Sequence, residues 1–562
     1  MSFWSKVCLF LIIWLRGRLL CIWFGLVTCT IIIYLRNNVG YTTEKSVLNE
    51  HSPTEISILK SNDSFKKTLQ IYQTSKKCND AMLAADPLRS TIYMIGRSSV
   101  FLGDYIDFNV ILYNGYDKPK NTGGDHLRAR LYNDLLGAYT PATIFDHNNG
   151  TYTVTVQALW IGRAQLEVEV LYTKETIITA IRLRRTWDFS NILAIFSYKN
   201  YTDKTTCGPD NETVKGYSKE SKLCNFSYWN NSQQWFCGRP KYPLSCNHWR
   251  AITRNWENFT RGMNTCEQQL NKRDRRTHIQ SNITVEILPN AIDSANRTTF
   301  EETSISCSNY NITKLWFKEK PTGYYYKNKW ILLHCKGLRS FNKECFRNKT
   351  LLFWGDSTLY QWFVYLKNKF LAVSEATCTH GQGWHDYQRC NFNKYNMTLS
   401  FLGHNIPVCG FKRKNLYNFF KSISFEKVIE SESENNDGLL LVLHLYAHLQ
   451  QYSFKHFAAH ILEIKTSLKR IFKTKTNIKV YIKLPHAYRR LEEPIWKIRR
   501  NDFIGFIFTH IMRNIFKGIL DRITVLDHMD STIAKRNLDI HPSEEIVREM
   551  VLQLMSYTCT DD

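Results

Sequence analysis

Residues 351–366 read LLFWGDSTLYQWFVYL. A short apolar run precedes Gly355, and after Ser357 the apolar residues recur at helical spacing. The stretch predicts a buried strand over LLFW, a corner at Gly355-Asp356-Ser357 and a helix from Thr358 to Phe370. Such a corner has two readings. It is an ordinary cap, because Asp and Ser side chains accept hydrogen bonds from the first N–H groups of a helix. Or Ser357 is a nucleophile at a helix N-terminus, where those N–H groups stabilise a developing oxyanion. In the second reading Gly355 and Asp356 shape the site around the serine.

The segments that follow repeat the strand–helix alternation. DGLLLVLHLY, NIKVYIKLP and DRITVLD read as strands; Ser453 to Lys473, Asn501 to Leu520 and Pro542 to Tyr557 read as helices. Near-continuous apolar strands alternating with amphipathic helices predict a parallel sheet covered on both faces. A doubly wound α/β domain of this kind, spanning 346–562, holds its site at the C-terminal ends of the strands. After the last strand, NLDIHPSEEIVREMV puts His541 on a loop just before a helix. In this topology that loop meets the Gly-Asp-Ser corner, and a neutral imidazole is the usual base for a serine.

Upstream the texture differs. STIYMIGRSSVFLGDYIDFNVILYNGYD and DHNNGTYTVTVQALWIGRAQLEVEVLY hold short alternating runs broken by turn residues, which predicts a β-sandwich over 86–190. Its arrangement resembles immunoglobulin- and filamin-like modules, which bind protein partners or space domains. Residues 191–345 read as a Cys-rich, glycosylated connector, and 36–85 as a polar stem.

The uncharged run 19–35 is about long enough to cross a bilayer as a helix, with 1–18 as a cytoplasmic tail. Lys6, Arg16 and Arg18 favour a cytosolic N-terminus, so the chain reads as a type II signal anchor with its bulk in the lumen. A cleaved signal peptide, giving a secreted form, is the rival. Sequons at Asn62, Asn149, Asn200, Asn211, Asn225, Asn230, Asn258, Asn282, Asn296, Asn311, Asn348 and Asn396 agree with a lumenal chain. Dense cysteines from Cys207 to Cys409 without zinc-ligand spacing agree as well, reading as disulfides. Beyond Cys8, Cys21 and Cys29 the cysteines are odd in number, so at least one is free or pairs with another chain.

A net charge of +24 would suit nucleic acid in a nuclear protein. Behind a membrane anchor it points to acidic glycans, a membrane surface or solvated basic faces instead. His456 and His460 in KHFAAH read as amphipathic surface, since no third ligand and no HExxH accompany them, and no metal is expected. There is no P-loop or GxGxxG.

The order of GDSTLYQWF, LVLHLYAHL and DIHPSEEIV behind an anchor, a sandwich and a Cys-rich connector resembles the NXPE family, which joins neurexophilin and PC-esterase domains. The resemblance implies a lumenal, Golgi-type, SGNH-like esterase fold and O-acetyl transfer to sugars, with glycans or sialoglycans as substrate. It implies Ser357 as nucleophile, His541 as base, His448 near the oxyanion, and acetyl-coenzyme A as acyl donor without a resident cofactor. Such enzymes place an orienting Asp three residues before the histidine, where this chain has Leu538; Asp530 and Asp539 are the substitutes to consider. Tyr446, Tyr360 and Met529 also depart from the family's Gly, Arg and Trp. The alternative is a catalytically impaired glycoprotein that acts through its sandwich.

Overall fold

In the strand Thr151–Gln157 every second side chain, Tyr152, Val154 and Val156, is buried. Tyr105–Ile111 repeats the pattern with Ile106, Phe108 and Val110. A period of two places all six on one face of a sheet. The computed structural model describes residue 72 and residues 75–559, apart from 186–191, 218–221, 228–233, 255–261, 273–276, 290–297, 301–303, 318–320, 380–386, 405–424, 433–437, 452 and 488–501. The expected tail, anchor and most of the stem lie outside the described residues, as do Asn62, Asn230, Asn258, Asn296 and Cys409.

The strands Thr91–Ile95, Tyr105–Ile111, Thr151–Gln157 and Thr143–Asp146 form one antiparallel sheet in that order. A seven-stranded sheet packs against it, running Lys329–Leu332, Gly323–Tyr326, Ala138–Pro141, His126–Asn133, Gly162–Tyr172, Thr284–Leu288 and Ser99–Phe101. Trp160 and the inward residues of both sheets share one core. Three of these strands come from the stretch read as a connector, so the sandwich extends well beyond residue 190. Their brevity explains why they were hard to see: TVEIL and GYYY each offer only two or three inward side chains among turns and sequons.

The rest of that connector has its own five-stranded sheet, stapled by Cys207–Cys237 and Cys224–Cys246. Cys78–Cys266, Cys307–Cys335, Cys345–Cys559 and Cys378–Cys390 are also bridged. With Cys409 outside the described residues, these six bridges use every other cysteine beyond the first three.

The C-terminal domain is a three-layer α/β structure. Its parallel strands are β1 (Lys349–Gly355), β2 (Met397–Gly403), β3 (Gly438–Leu443), β4 (Ile478–His486) and β5 (Ile523–His528). They lie in the order 2-1-3-4-5, and Gln388–Phe392 and Thr377–Cys378 extend the β2 edge antiparallel. Besides a short helix at Phe425–Glu432, the helices are α1 (Ser357–Leu371), α2 (Phe454–Thr474), α3 (Asp502–Phe516), α4 (Met529–Lys535) and α5 (Glu544–Thr558). Leu351 and Phe353 of β1 bury with α1 and α5 on one face, while Leu352 and Trp354 bury with α2 and α3 on the other. Both faces are therefore covered, which is why these strands read as unbroken apolar runs. In a 2-1-3-4-5 sheet the connections reverse direction beside β1, and a crevice opens at its C-terminal end. Ser357 is there.

Candidate active site

Asp356 makes the corner. It caps α1 by accepting from Thr358 N and from Thr358 Oγ1, each at 2.8 Å, and its carboxylate is buried. Gly355 is needed for clearance rather than for an unusual backbone angle. A Cβ there would lie 3.0 Å from both His444 Cβ and Leu359 Cδ2. The cap also takes the Thr358 N–H, and Leu359 N and Tyr360 N bond to the Asp356 carbonyl. The N–H of Ser357 itself is then the first-turn donor that no described group takes.

His541 reaches this corner from the loop between α4 and α5. Its Nε2 lies 2.8 Å from Ser357 Oγ, with the serine half-buried and the histidine exposed. Three backbone ties fix that loop. Asn537 and Ser543 bond to each other across its ends, at 3.0 and 3.3 Å. His486 Nε2 meets Ile540 O at 3.1 Å, and Gln361 Nε2 donates to Pro542 O at 2.9 Å.

Beneath the pair lies a buried polar cluster. Lys483 Nζ donates to Thr358 Oγ1 at 3.3 Å and to His486 Nδ1 at 3.2 Å. Because His486 Nδ1 accepts from an ammonium, its proton belongs on Nε2, where it donates to Ile540 O. One chain of hydrogen bonds thus runs from the serine turn to the histidine loop: Thr358, Lys483, His486, Ile540. Burial pushes the Lys483 ammonium down to about 8, with the Asp356 charge opposing part of that push. Burial also holds His444 down at about 4 and His486 well below its usual value, so both rings are neutral at physiological pH. For Asp356 burial acts upward, but His444, His448, Lys483 and His404 outweigh it and keep the carboxyl below its ordinary range.

His448 is buried, with Nδ1 2.8 Å from Nε2 of His404. The strand β3 ends at Leu443, so His444 and His448 lie in the following loop. Tyr446 turns its ring into the core against Phe508, over Gly505, where any Cβ would collide with its hydroxyl at 2.8 Å. Tyr360 packs on Phe363 and Phe401 and bonds Gln388. His460 is buried rather than on an amphipathic surface, and burial beside His404 holds it down at about 3.

Asp530 is buried and accepts the Thr322 N–H at 2.6 Å and the Thr322 hydroxyl at 3.0 Å. Asp539 is exposed on the loop. Leu538 packs with Met529 and Ala487 in a small apolar cluster, so two of the residues that depart from the expected pattern lie together. The structure thus brings Ser357 and His541 together, while Asp530 bonds to Thr322 and Asp539 faces solvent. Sequence reasoning missed Lys483, His486, His404 and Gln361. The one available signal was a lysine inside an otherwise apolar buried strand, IKVYIKLPH.

Of the described sequons, Asn149, Asn200, Asn211, Asn225, Asn282, Asn311 and Asn396 are exposed and Asn348 is partly so. Cavities of about 340 and 630 Å³ lie where the sandwich meets the C-terminal domain, and neither is lined by Ser357 or His541. Glu167, Glu169 and His278 come within 4.8 Å of one another, as metal ligands would. Arg128, Arg130 and Arg536 already neutralise the two carboxylates, which makes this an ion-pair network.

A parallel α/β domain with a serine at the head of the helix after its first strand, and a histidine beside it, is consistent with an esterase- or acyltransferase-like fold. Residues 330–559 match the family model described as NXPE family member 4-like, C-terminal domain. This part of the chain is thus similar to the C-terminal domain of the NXPE family.

Proposed function

We propose that the chain is a carbohydrate O-acetyltransferase or esterase that works through a Ser357–His541 acyl-enzyme. The 2.8 Å contact between Ser357 Oγ and His541 Nε2 carries this reading. Ser357 Oγ attacks the acyl carbonyl while its proton passes to His541 Nε2, which must be unprotonated at that moment. The oxyanion accepts from the Ser357 N–H, and His448 is the candidate second donor. Collapse expels the leaving group, which takes the proton from His541. A sugar hydroxyl or water then gives its proton to the same nitrogen, attacks the acyl-serine and releases the product. Acetyl-coenzyme A as donor and sialoglycans as acceptor extend the reading by family analogy. Six disulfides motivate a lumenal or extracellular setting, with a Golgi membrane anchor at 19–35.

The test is expression of the full chain, wild-type and Ser357→Ala, in cells whose surface sialic-acid O-acetylation is measured. Equal signals from the two chains would defeat the proposal. A second reading, a binding module, draws on the outer face of the four-stranded sheet, which exposes Tyr93, Ile95, Tyr105 and Phe145. It requires that Ser357→Ala leave every phenotype of the chain intact.

A further inference from the structure

The sandwich does more than sit beside the α/β domain. Two of its strands, His126–Asn133 and Gly162–Tyr172, hold Arg128, Arg130, Glu167 and Glu169 next to the loop that carries His541. Arg130 Nε pairs with Glu167 Oε2 at 2.6 Å, and its Nη1 donates to the carbonyl of Ala534 in α4 at 2.9 Å. Arg536 closes α4 in the left-handed region, at φ 55°, and directly precedes the Asn537–Ser543 loop. Its Nε reaches back to Glu167 Oε1 at 3.2 Å, and its Nη2 lies 2.6 Å from His278 Nε2. His278 Nδ1 in turn meets Glu167 Oε1 at 3.1 Å. Arg128 pairs with the buried Asp502 at the start of α3.

These groups come from both domains; Arg128, Arg130, Glu167, Glu169 and Asp502 are largely removed from solvent, whereas Arg536 and His278 keep more than a third of their side-chain surface exposed. An exposed ion pair holds its partners weakly, whereas a buried, multiply bonded one fixes a geometry. A left-handed non-glycine residue likewise persists only where its surroundings hold it. Arg536 meets that condition through Glu167 and His278, both on the sandwich side.

From this we infer that the sandwich positions His541, with Glu167 and Arg536 as positioning residues that set where the loop leaves α4. The inference rests on reading Ser357 and His541 as the reacting pair, but its structural half stands apart from that reading. Glu167 and Arg536 act through the loop and do not touch the reacting atoms. The sandwich is thereby part of the site: without it, the loop keeps its ties to His486 and Gln361 but loses the anchor at its entry.

The experiment uses the full chain with Glu167→Gln, Arg536→Ala and Arg536→Lys. Hydrogen exchange is read on peptides spanning 536–543, and phosphonylation of Ser357 by a fluorophosphonate probe, with loss of fluoride, is read as separate binding and inactivation constants. Glu167→Gln and Arg536→Ala raise exchange in 536–543 and slow inactivation by about tenfold or more, with probe binding unchanged. Arg536→Lys recovers part of both, which a change in bulk folding would not do. Unchanged exchange in 536–543 in folded Arg536→Ala protein overturns the inference, whatever the probe does. Arg536 is partly exposed, so this variant retains a folded chain even if Glu167→Gln does not. Altered exchange with no labelling of wild-type Ser357 would uphold the coupling and defeat the catalytic reading instead.

Discussion

Replacing Lys483 with methionine tests the buried chain that joins the two halves of the site. The ammonium is fully buried, and burial lowers it from 10.5 to about 8. In its charged form it therefore costs the fold about 3 kcal/mol relative to the unfolded chain. Below pH 8 both states carry the proton and the whole penalty applies. Between pH 8 and 10.5 the unfolded chain binds more proton than the folded one, so stability rises with pH. Above that window both forms are neutral and the penalty is gone.

Lys483→Met removes the penalty but leaves His486 Nδ1 without its donor at 3.2 Å. An unsatisfied buried acceptor costs about 1–3 kcal/mol. At pH 7 the two effects nearly cancel, and the variant's stability stays close to wild type. As the pH approaches 10.5 most of the penalty is gone, the lost hydrogen bond dominates, and the variant becomes the weaker by about 1–2 kcal/mol. Urea unfolding of both chains at intervals from pH 7 to 10.5 measures this, and their difference removes the tyrosine titrations they share. Parallel stability curves across that range would refute the assignment of a charged, buried Lys483. Fluorophosphonate labelling of Ser357 slows in the variant at every pH, because the tie from Thr358 to Ile540 is cut.

Gly355→Ala forces a Cβ to within 3.0 Å of His444 and Leu359; it lowers stability by about 1–3 kcal/mol and slows serine labelling, both measured on one preparation. Asp356→Ala removes the α1 cap and strips Lys483 of a counter-charge, a loss of about 3–5 kcal/mol in urea unfolding, several-fold more than an exposed cap would give. Cys345–Cys559 ties the two ends of the α/β domain across 214 residues, so Cys559→Ser lowers stability by about 5 kcal/mol in the chain-entropy account, read as a fall in Tm. His541→Gln keeps the size of the side chain but removes the base, and cuts serine acylation by about 10²–10⁴-fold with Tm unchanged.

Much of the α/β domain was legible because its elements are long and apolar. Thr358 to Phe370 becomes α1 at Ser357–Leu371, and NIKVYIKLP becomes β4 at Ile478–His486. Strands buried on both faces advertise themselves. The sandwich was legible only where its alternation ran long, as in TYTVTVQ, and not in three- to five-residue strands such as SVF or TVEIL. Register across 100 or more residues is a tertiary property. Nothing local in TVEIL says that it pairs with Gly162–Tyr172 on one side and with Ser99–Phe101 on the other.

The site divides in the same way. Ser357 and His541 were legible because each sits at a predictable place, a strand-end corner and a loop before a helix. What positions them was not, since Lys483, His486, Gln361 and Arg536 act through contacts between elements far apart in sequence. Leu538 marks the sharpest limit. By position it reads as a missing carboxylate and a weakened base. In the fold its side chain packs in an apolar cluster with Met529 and Ala487, so an aspartate placed there would sit among apolar groups. A buried, unpaired carboxylate neutralises itself or destabilises the loop. The loop that carries His541 is instead held through its backbone, at Ile540 and Pro542, and from Arg536 at its entry. Such a design tolerates a leucine where a carboxylate is expected, and it moves the sensitivity of the histidine from one side chain to the seam between two domains.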